Sequence, residues 1–164
     1  MTNKLIFGAV LILASFSCAI FGASVRNPSL FLGGYVDIDG QQYYVNASKY
    51  FTKDEARADC QSRNMELISF EEKTKYDAIN LWAQQNQNEL DYHWFWMGAE
   101  RVNTTDWRWE VSGKRIKDFY WADAEPNLAA DDNDTICLSF VSYSFASGWC
   151  DDICDTTQNA LICQ

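Results

Sequence analysis

The stretch "GWCDDIC", residues 148–154, sets two cysteines four positions apart with Asp151 and Asp152 between them. Its reading depends on the redox compartment, because such thiols are disulfide partners outside the cell and more often metal ligands or nucleophiles inside it. The start of the chain bears on that choice. Met1-Thr2-Asn3-Lys4 is a short positive opening, residues 5–22 form an uncharged apolar run, and small residues stand at Ala19, Gly22, Ala23 and Ser24. This is the pattern of a secretory signal peptide over residues 1–23, removed on export. A retained membrane anchor is the alternative, since Leu5 to Val25 carries no charge and is long enough to span. A secreted, extracellular protein is therefore expected, with no membrane contact once the leader is gone.

Five cysteines follow the leader: Cys60, Cys137, Cys150, Cys154 and Cys163. An odd number leaves one without an internal partner, and counting alone permits about fifteen two-bridge schemes. There is no C-x-x-C pair and only one histidine, His93, so a zinc site is not expected. Three glycan acceptor triplets, at Asn46, Asn103 and Asn133, agree with export.

Composition narrows the function classes. The chain has 164 residues, enough for one domain with a core, and 15% are aromatic, seven of them Trp. Rings in that number bury much apolar area per residue, so a folded globule is expected. The formal charge of −10 argues against nucleic acid as a partner, because phosphate recognition needs stripes of Lys and Arg. An acidic surface suits solubility or a cation.

Residues 24–40 read as a short irregular lead-in. "YYV" at 43–45 then reads as a strand. Thr52-Lys53-Asp54-Glu55 has the form of a capping box opening a first helix that stops near Asn64. Ser69-Phe70-Glu71-Glu72 repeats the form ahead of a second helix, with Tyr76, Ile79 and Ala83 on one face and an end near "QQNQN". From residue 92 the pattern turns to short strands: "HWFWMG", "DWRWEV" closed by Ser112-Gly113, "ICLSFV" and "ALICQ", with polar loops between. Two early helices followed by short strands and long loops give an α+β domain.

Taken together, these pieces resemble a C-type lectin domain over residues 41–164. The landmarks are Cys60, "WMG" at 96–98, "WRWEVSG" at 107–113, Trp121 ahead of "EPN" at 125–127, Cys137, "GWCD" at 148–151, Cys154 and the terminal "LIC". The resemblance implies a C-type lectin-like fold with bridges Cys60–Cys163 and Cys137–Cys154; a competing scheme pairs Cys137 with Cys150 and frees Cys154, but the family pattern places the partner at 154. Cys150 is then unpaired or intermolecular, and an odd thiol in a secreted protein favours a disulfide-linked dimer. The alternatives are a free thiol half-buried beside Trp149, or exchange with Cys154.

In that family "EPN" and a later "WND" hold Ca2+, and the vicinal hydroxyls of a mannose-type sugar complete its shell. Carried over, the resemblance gives metal ligands Glu125, Asn127 and Asp151, which also contact carbohydrate, with Asp134 as a further metal candidate. It also implies a cis bond before Pro126. Carboxylate and amide oxygens suit a hard cation that takes six to eight of them. The chain departs from the pattern twice. Cys150 stands where "WND" has asparagine, and a soft sulfur does not replace an amide oxygen on calcium. Thr135 stands where a glutamate is usual.

Two functional expectations follow. One is a secreted, calcium-dependent binder of mannose-type glycans, serving innate recognition of microbes. The other is a C-type lectin-like domain with a degenerate calcium site that binds protein partners without calcium. An enzyme is not expected, because no nucleophile, poised histidine or cofactor cradle is evident. Trp96, Trp109, Trp121 and Trp149 are expected in the core rather than as sugar platforms.

Overall fold

The structure is a computed structural model that describes residues 33–103, 105–128 and 135–164. The leader, Asn133 and Asp134 lie outside the described residues. Among the described residues, seven strands and two helices run in the order β1 (Gly34–Ile38), β2 (Gln41–Phe51), α1 (Lys53–Gln61), α2 (Lys73–Gln85), β3 (Trp94–Asn103), β4 (Asp106–Trp109), β5 (Ile136–Ser142), β6 (Ser147–Ile153) and β7 (Asn159–Cys163). They form one sheet ordered β1-β2-β7-β3-β5-β6, with β4 paired to β3. All neighbours are antiparallel except β3 and β7. The last strand therefore lies between β2 and β3, closing the chain on itself. No helix among the described residues is long and apolar enough to cross a membrane.

The first strand corrects the irregular lead-in. Asp39 and Gly40 sit at φ 54° and 78°, and Ile38 pairs with Gln41. Two central residues at positive φ make a two-residue hairpin, for which Asp-Gly is a favoured pair. Asp37 Oδ1 accepts from the Gly40 amide at 3.0 Å and fixes the turn.

Local chemistry opens α1 as expected. Thr52 Oγ1 accepts from the Glu55 amide and Glu55 Oε2 accepts from the Thr52 amide, a complete capping box. The second box does not form. α2 starts at Lys73 and its cap, Glu72, makes no side-chain bond to the helix. Ser69 is committed elsewhere: its amide donates to Gln164 Oε1 at 3.0 Å, and its hydroxyl accepts from Gln164 Nε2. Tyr76, Ile79 and Ala83 do form the buried face of α2.

Both bridges are present, Cys60–Cys163 tying α1 to β7 and Cys137–Cys154 tying β5 to the end of β6. The first spans 103 residues, a closure worth about 4–5 kcal/mol in the chain-entropy model. Trp149 lies at the centre of the main core, ringed by Phe70, Tyr76, Trp109, Phe119 and Tyr120 at 5.3–6.1 Å between centroids. Trp96 and Trp109 are also buried, and Trp121 packs half-buried against the same core.

One burial is unexpected from sequence. Lys53, the first residue of α1, is 1% exposed. Its ammonium donates to the carbonyls of Met97 and Ala99 and pairs with Glu110 at 2.8 Å. Arg57 holds the other Glu110 oxygen at 3.1 Å. A buried charge must be paired and hydrogen-bonded, and this one is both.

Candidate functional site

The site forms where the long connection between β4 and β5 is pinned to β6. Trp149 clasps that connection by its backbone: its amide donates to Tyr120 O at 2.7 Å, and its carbonyl accepts from the Ala122 amide at 2.9 Å. Gly148 permits the approach. A Cβ there would stand 2.4 Å from Ala122 N, and φ at Gly148 is +151°. The connection then turns back through Ala124, at φ +66°, with the Glu125 amide donating to Ala122 O at 3.1 Å.

This turn delivers Glu125 and Asn127 to Asp151. The Glu125–Pro126 bond is cis, as expected. The Asn127 amide donates to Asp151 Oδ1 at 2.8 Å and the Leu128 amide to Oδ2 at 3.1 Å. Asn127 Nδ2 donates to Glu125 Oε1 at 2.9 Å. Asp151 is 4% exposed, so two charge-assisted bonds hold the connection against β6. The role of the Leu128 amide carries no residue-type signal, and the glycine at 148 announces a close approach without naming its partner, Ala122.

The electrostatics show a site short of positive charge. Glu125 Oε2 is buried without a hydrogen-bond partner. Burial, and then the neighbouring Asp151 carboxylate, push the Glu125 carboxyl up to about 7. Burial also raises Asp152, although Ser139 Oγ at 2.5 Å and Asn159 Nδ2 at 3.0 Å donate to it.

Cys150 does not join this group as a ligand. It pairs with Ser139 across β5 and β6, and strand alternation sets it on the face opposite Asp151. It is free and 1% exposed. Burial first, and then the carboxylates of Glu125, Asp152 and Asp151, push its thiol well above the usual range. No bridge from Cys150 to a second chain is shown, and its sulfur lies covered by the sheet. The half-buried alternative is exceeded, since the thiol is wholly covered.

Other expectations fall as follows. Asn46 is 8% exposed within β2, and its Oδ1 accepts from the Ser48 amide and hydroxyl. A side chain so covered offers a glycan little room. Asn103 is exposed at the β3–β4 hairpin, where its Oδ1 accepts from the Thr105 amide. Thr135 is exposed, and its carbonyl accepts from the Cys154 amide. His93 is buried beside Tyr143 and held below its usual range by burial.

The decisive comparison is with protein families: the model described as "Lectin C-type domain" matches residues 49–164. The chain belongs to the C-type lectin family. It is 26% identical to E-selectin of Rattus norvegicus over 121 residues, covering 73% of this chain and 21% of that protein. It is 26% identical to E-selectin of Homo sapiens over 124 residues, covering 74% of this chain and 19% of that protein. The chain thus spans about a fifth of the length of these relatives. Among solved structures, the carbohydrate-recognition domain of the mouse scavenger receptor C-type lectin superposes with a TM-score of 0.60 at 17% identity, covering 79% of this chain and 91% of that one. The lectin SPL-2 from Saxidomus purpuratus, described as Ca2+-independent, gives 0.61 at 22% identity, covering 79% and 89%. These likenesses show the fold.

Domains of this family commonly hold calcium, a hard cation that takes oxygen donors. Among the described residues no three His, Cys, Asp or Glu side chains form a metal cluster. Two carboxylates and one amide do converge, and the orphaned Glu125 Oε2 is an acceptor that a cation would satisfy. Asp151 has spent one lone pair on each oxygen and retains acceptor capacity on both. The residues fit calcium as a reduced set of Glu125, Asn127 and Asp151. Water, sugar hydroxyls or groups outside the described residues must supply the remaining oxygens that the ion requires.

Proposed function

We propose that this lectin domain is a secreted, calcium-dependent binder of mannose-type glycans that serves recognition of microbial surfaces. The observation that carries the reading is the convergence of Glu125, Asn127 and Asp151 around an unsatisfied, buried carboxylate oxygen. Calcium, when bound, would offer open coordination positions to two vicinal hydroxyls. The chain's own residues do the selecting. Glu125 accepts from a sugar hydroxyl, Asn127 Nδ2 donates to one, and Asp151 keeps both on a fixed backbone by gripping the amides of Asn127 and Leu128. Glu125 and Asn127 also bond one another, so the pair is ordered before ligand arrives.

Calorimetry tests this reading. Sugar-binding heat with methyl α-mannoside is expected only when calcium is present, and it is expected to vanish in Glu125→Gln. Absence of any heat at millimolar calcium would overturn it.

One observation favours the second reading, a domain that engages protein partners without calcium. Cys150 occupies the place of an amide ligand and is sealed in the sheet. Retention on mannan that chelator abolishes would exclude this alternative.

A further inference from the structure

The sheet ends differently on its two sides. β6 grips the connection that carries Glu125, whereas β1, at the other end, pairs with β2 alone among the described residues. Ile38 and Gln41 flank the two-residue turn as a hydrogen-bonded pair, and in an antiparallel ladder such pairs alternate with pairs that bond outward. Tyr35 and Asp37 therefore turn their N–H and C=O groups away from β2, and both residues are exposed. No proline, lysine or bulge blunts this edge, and its register with β2 is unbroken from Gly34 to Ile38.

A groove runs beside the edge. One cavity of about 400 Å³ between β1 and α2 is walled by Ile38, Ala78, Leu81 and Trp82, with Leu81 55% exposed. A second, of about 430 Å³, shares Ile38, Asp39 and Ala78 with the first and continues along α2 to Glu71 and Glu72. Both volumes fall within the range of ligand sites, about 300–1,000 Å³. Ile38 lines the groove and Val36 shares its face of the strand, so every second side chain of a segment laid along β1 would point the same way.

The surroundings stay negative after each pairing is counted. Glu71 pairs with Lys114 at 2.7 Å and Asp77 with Lys73 at 2.6 Å. Lys75 gives its ammonium to Gln164 Oε1, and Asp37 spends Oδ1 on the Gly40 amide. The Asp39 and Glu72 carboxylates make no ion pair or hydrogen bond among the described residues, although Glu72 acts at longer range on Lys75 and Lys114. Five carboxylates, Asp37, Asp39, Glu71, Glu72 and Asp77, thus stand against three ammonium groups, Lys73, Lys75 and Lys114. The next groups out, Arg115 with Asp106 and Lys117 beside Asp118, add equal numbers of each sign. An apolar groove, a negative rim and a row of outward backbone groups together fit an extended peptide in which apolar residues alternate with Lys or Arg. A second copy of this chain fits poorly, because it would bring Asp37 and Asp39 against like charges.

We propose that the β1 edge and the groove between β1 and α2 dock an extended basic segment of a partner protein, which adds a strand to the sheet. The docking requires no calcium and uses none of Glu125, Asn127 and Asp151, so its failure and that of the mannose reading are distinguishable.

Fluorescence anisotropy on the full chain, in EDTA at about 50 mM salt, tests this with labelled peptides of about ten residues. One alternates valine with arginine and a second alternates valine with glutamate. A third is the arginine peptide with its central valines changed to proline, which cannot donate to a ladder. The arginine peptide is expected to bind, and the other two to bind at least about tenfold more weakly. Asp39→Asn with Glu72→Gln is expected to weaken the arginine peptide about tenfold. The melting temperature should hold, because asparagine tolerates the φ of 54° at position 39 and Glu72 makes no side-chain bond to the helix. Asp91→Asn with Asp123→Asn removes the same charge from exposed positions outside the groove, and should leave binding within about twofold of the parent. No binding of the arginine peptide, or equal losses in the two double variants, overturns the site. Equal binding of the proline peptide overturns strand addition. Sedimentation equilibrium without peptide should show a monomer; a dimer that Asp39→Asn with Glu72→Gln strengthens would give the edge to a second copy and overturn the assignment.

Discussion

Replacing Asp151 with asparagine isolates what holds the site together. The carboxylate accepts from the Asn127 and Leu128 amides at 2.8 and 3.1 Å and is 4% exposed. An asparagine keeps one acceptor oxygen and turns an NH2 toward the other amide. One charge-assisted bond is lost, about 1.5–3 kcal/mol, and two donors are left facing each other. For a domain of this size each kcal/mol moves the melting temperature by about 3–4 °C, so Asp151→Asn should melt about 5–12 °C lower in EDTA. Asp123→Asn, an exposed change in the same connection, should stay within about 0.5 kcal/mol of the parent. A second readout is the Glu125 titration followed by carboxyl NMR. It should move down from about 7 when its like-charged neighbour is removed, without returning to the ordinary value because burial remains. An unchanged melt together with an unmoved Glu125 titration would refute the idea that Asp151 organises residues 125–128.

Further outcomes follow from other groups. Because Glu125 is raised in the folded state, its proton is held more tightly there than in the unfolded chain, so its contribution to stability falls as pH rises from about 4.5 to about 7. The stability difference between the parent and Glu125→Gln, measured by urea unfolding without calcium, should shift in favour of the variant across that window; a flat difference would contradict it. Burial pushes Glu110 upward, but Lys53 and Arg57 outweigh it and hold the carboxyl below its usual range. Glu110→Ala leaves the Lys53 charge buried and unpaired, and should cost about 3–5 kcal/mol in denaturant unfolding, whereas Lys53→Met should cost much less. Cys150 should resist a thiol reagent in the native protein and react with one equivalent in denaturant; rapid native labelling would show that the sheet does not cover it.

The features legible in the sequence are those set by local chemistry or by a resemblance to the family. The Thr52 box forms because threonine and glutamate three residues apart need nothing distant. Its apparent twin at Ser69 fails because Gln164, 95 residues away, claims the serine. Residues 147–153 lie between the expected strands, where the sequence gives a polar loop, and Gly148, Asp151 and Asp152 are poor strand formers. Pairing of β6 with β5 along its whole length overrides them. Nothing local to Lys53 marks it for burial; the arrival of Glu110 and two β3 carbonyls accounts for it. At the site, Glu125, Asn127 and Asp151 were named through the resemblance to the family, and the fold brings them together. The bonds that assemble them pass through backbone amides, which no residue type announces.

A thermal melt of the full chain, in EDTA and in millimolar calcium, bears most directly on whether those three residues hold a cation. Selective binding to the native state must raise stability by mass action. The parent should melt higher with calcium, and Glu125→Gln should melt at the same temperature in both buffers. Identical melts of the parent with and without calcium would contradict the account.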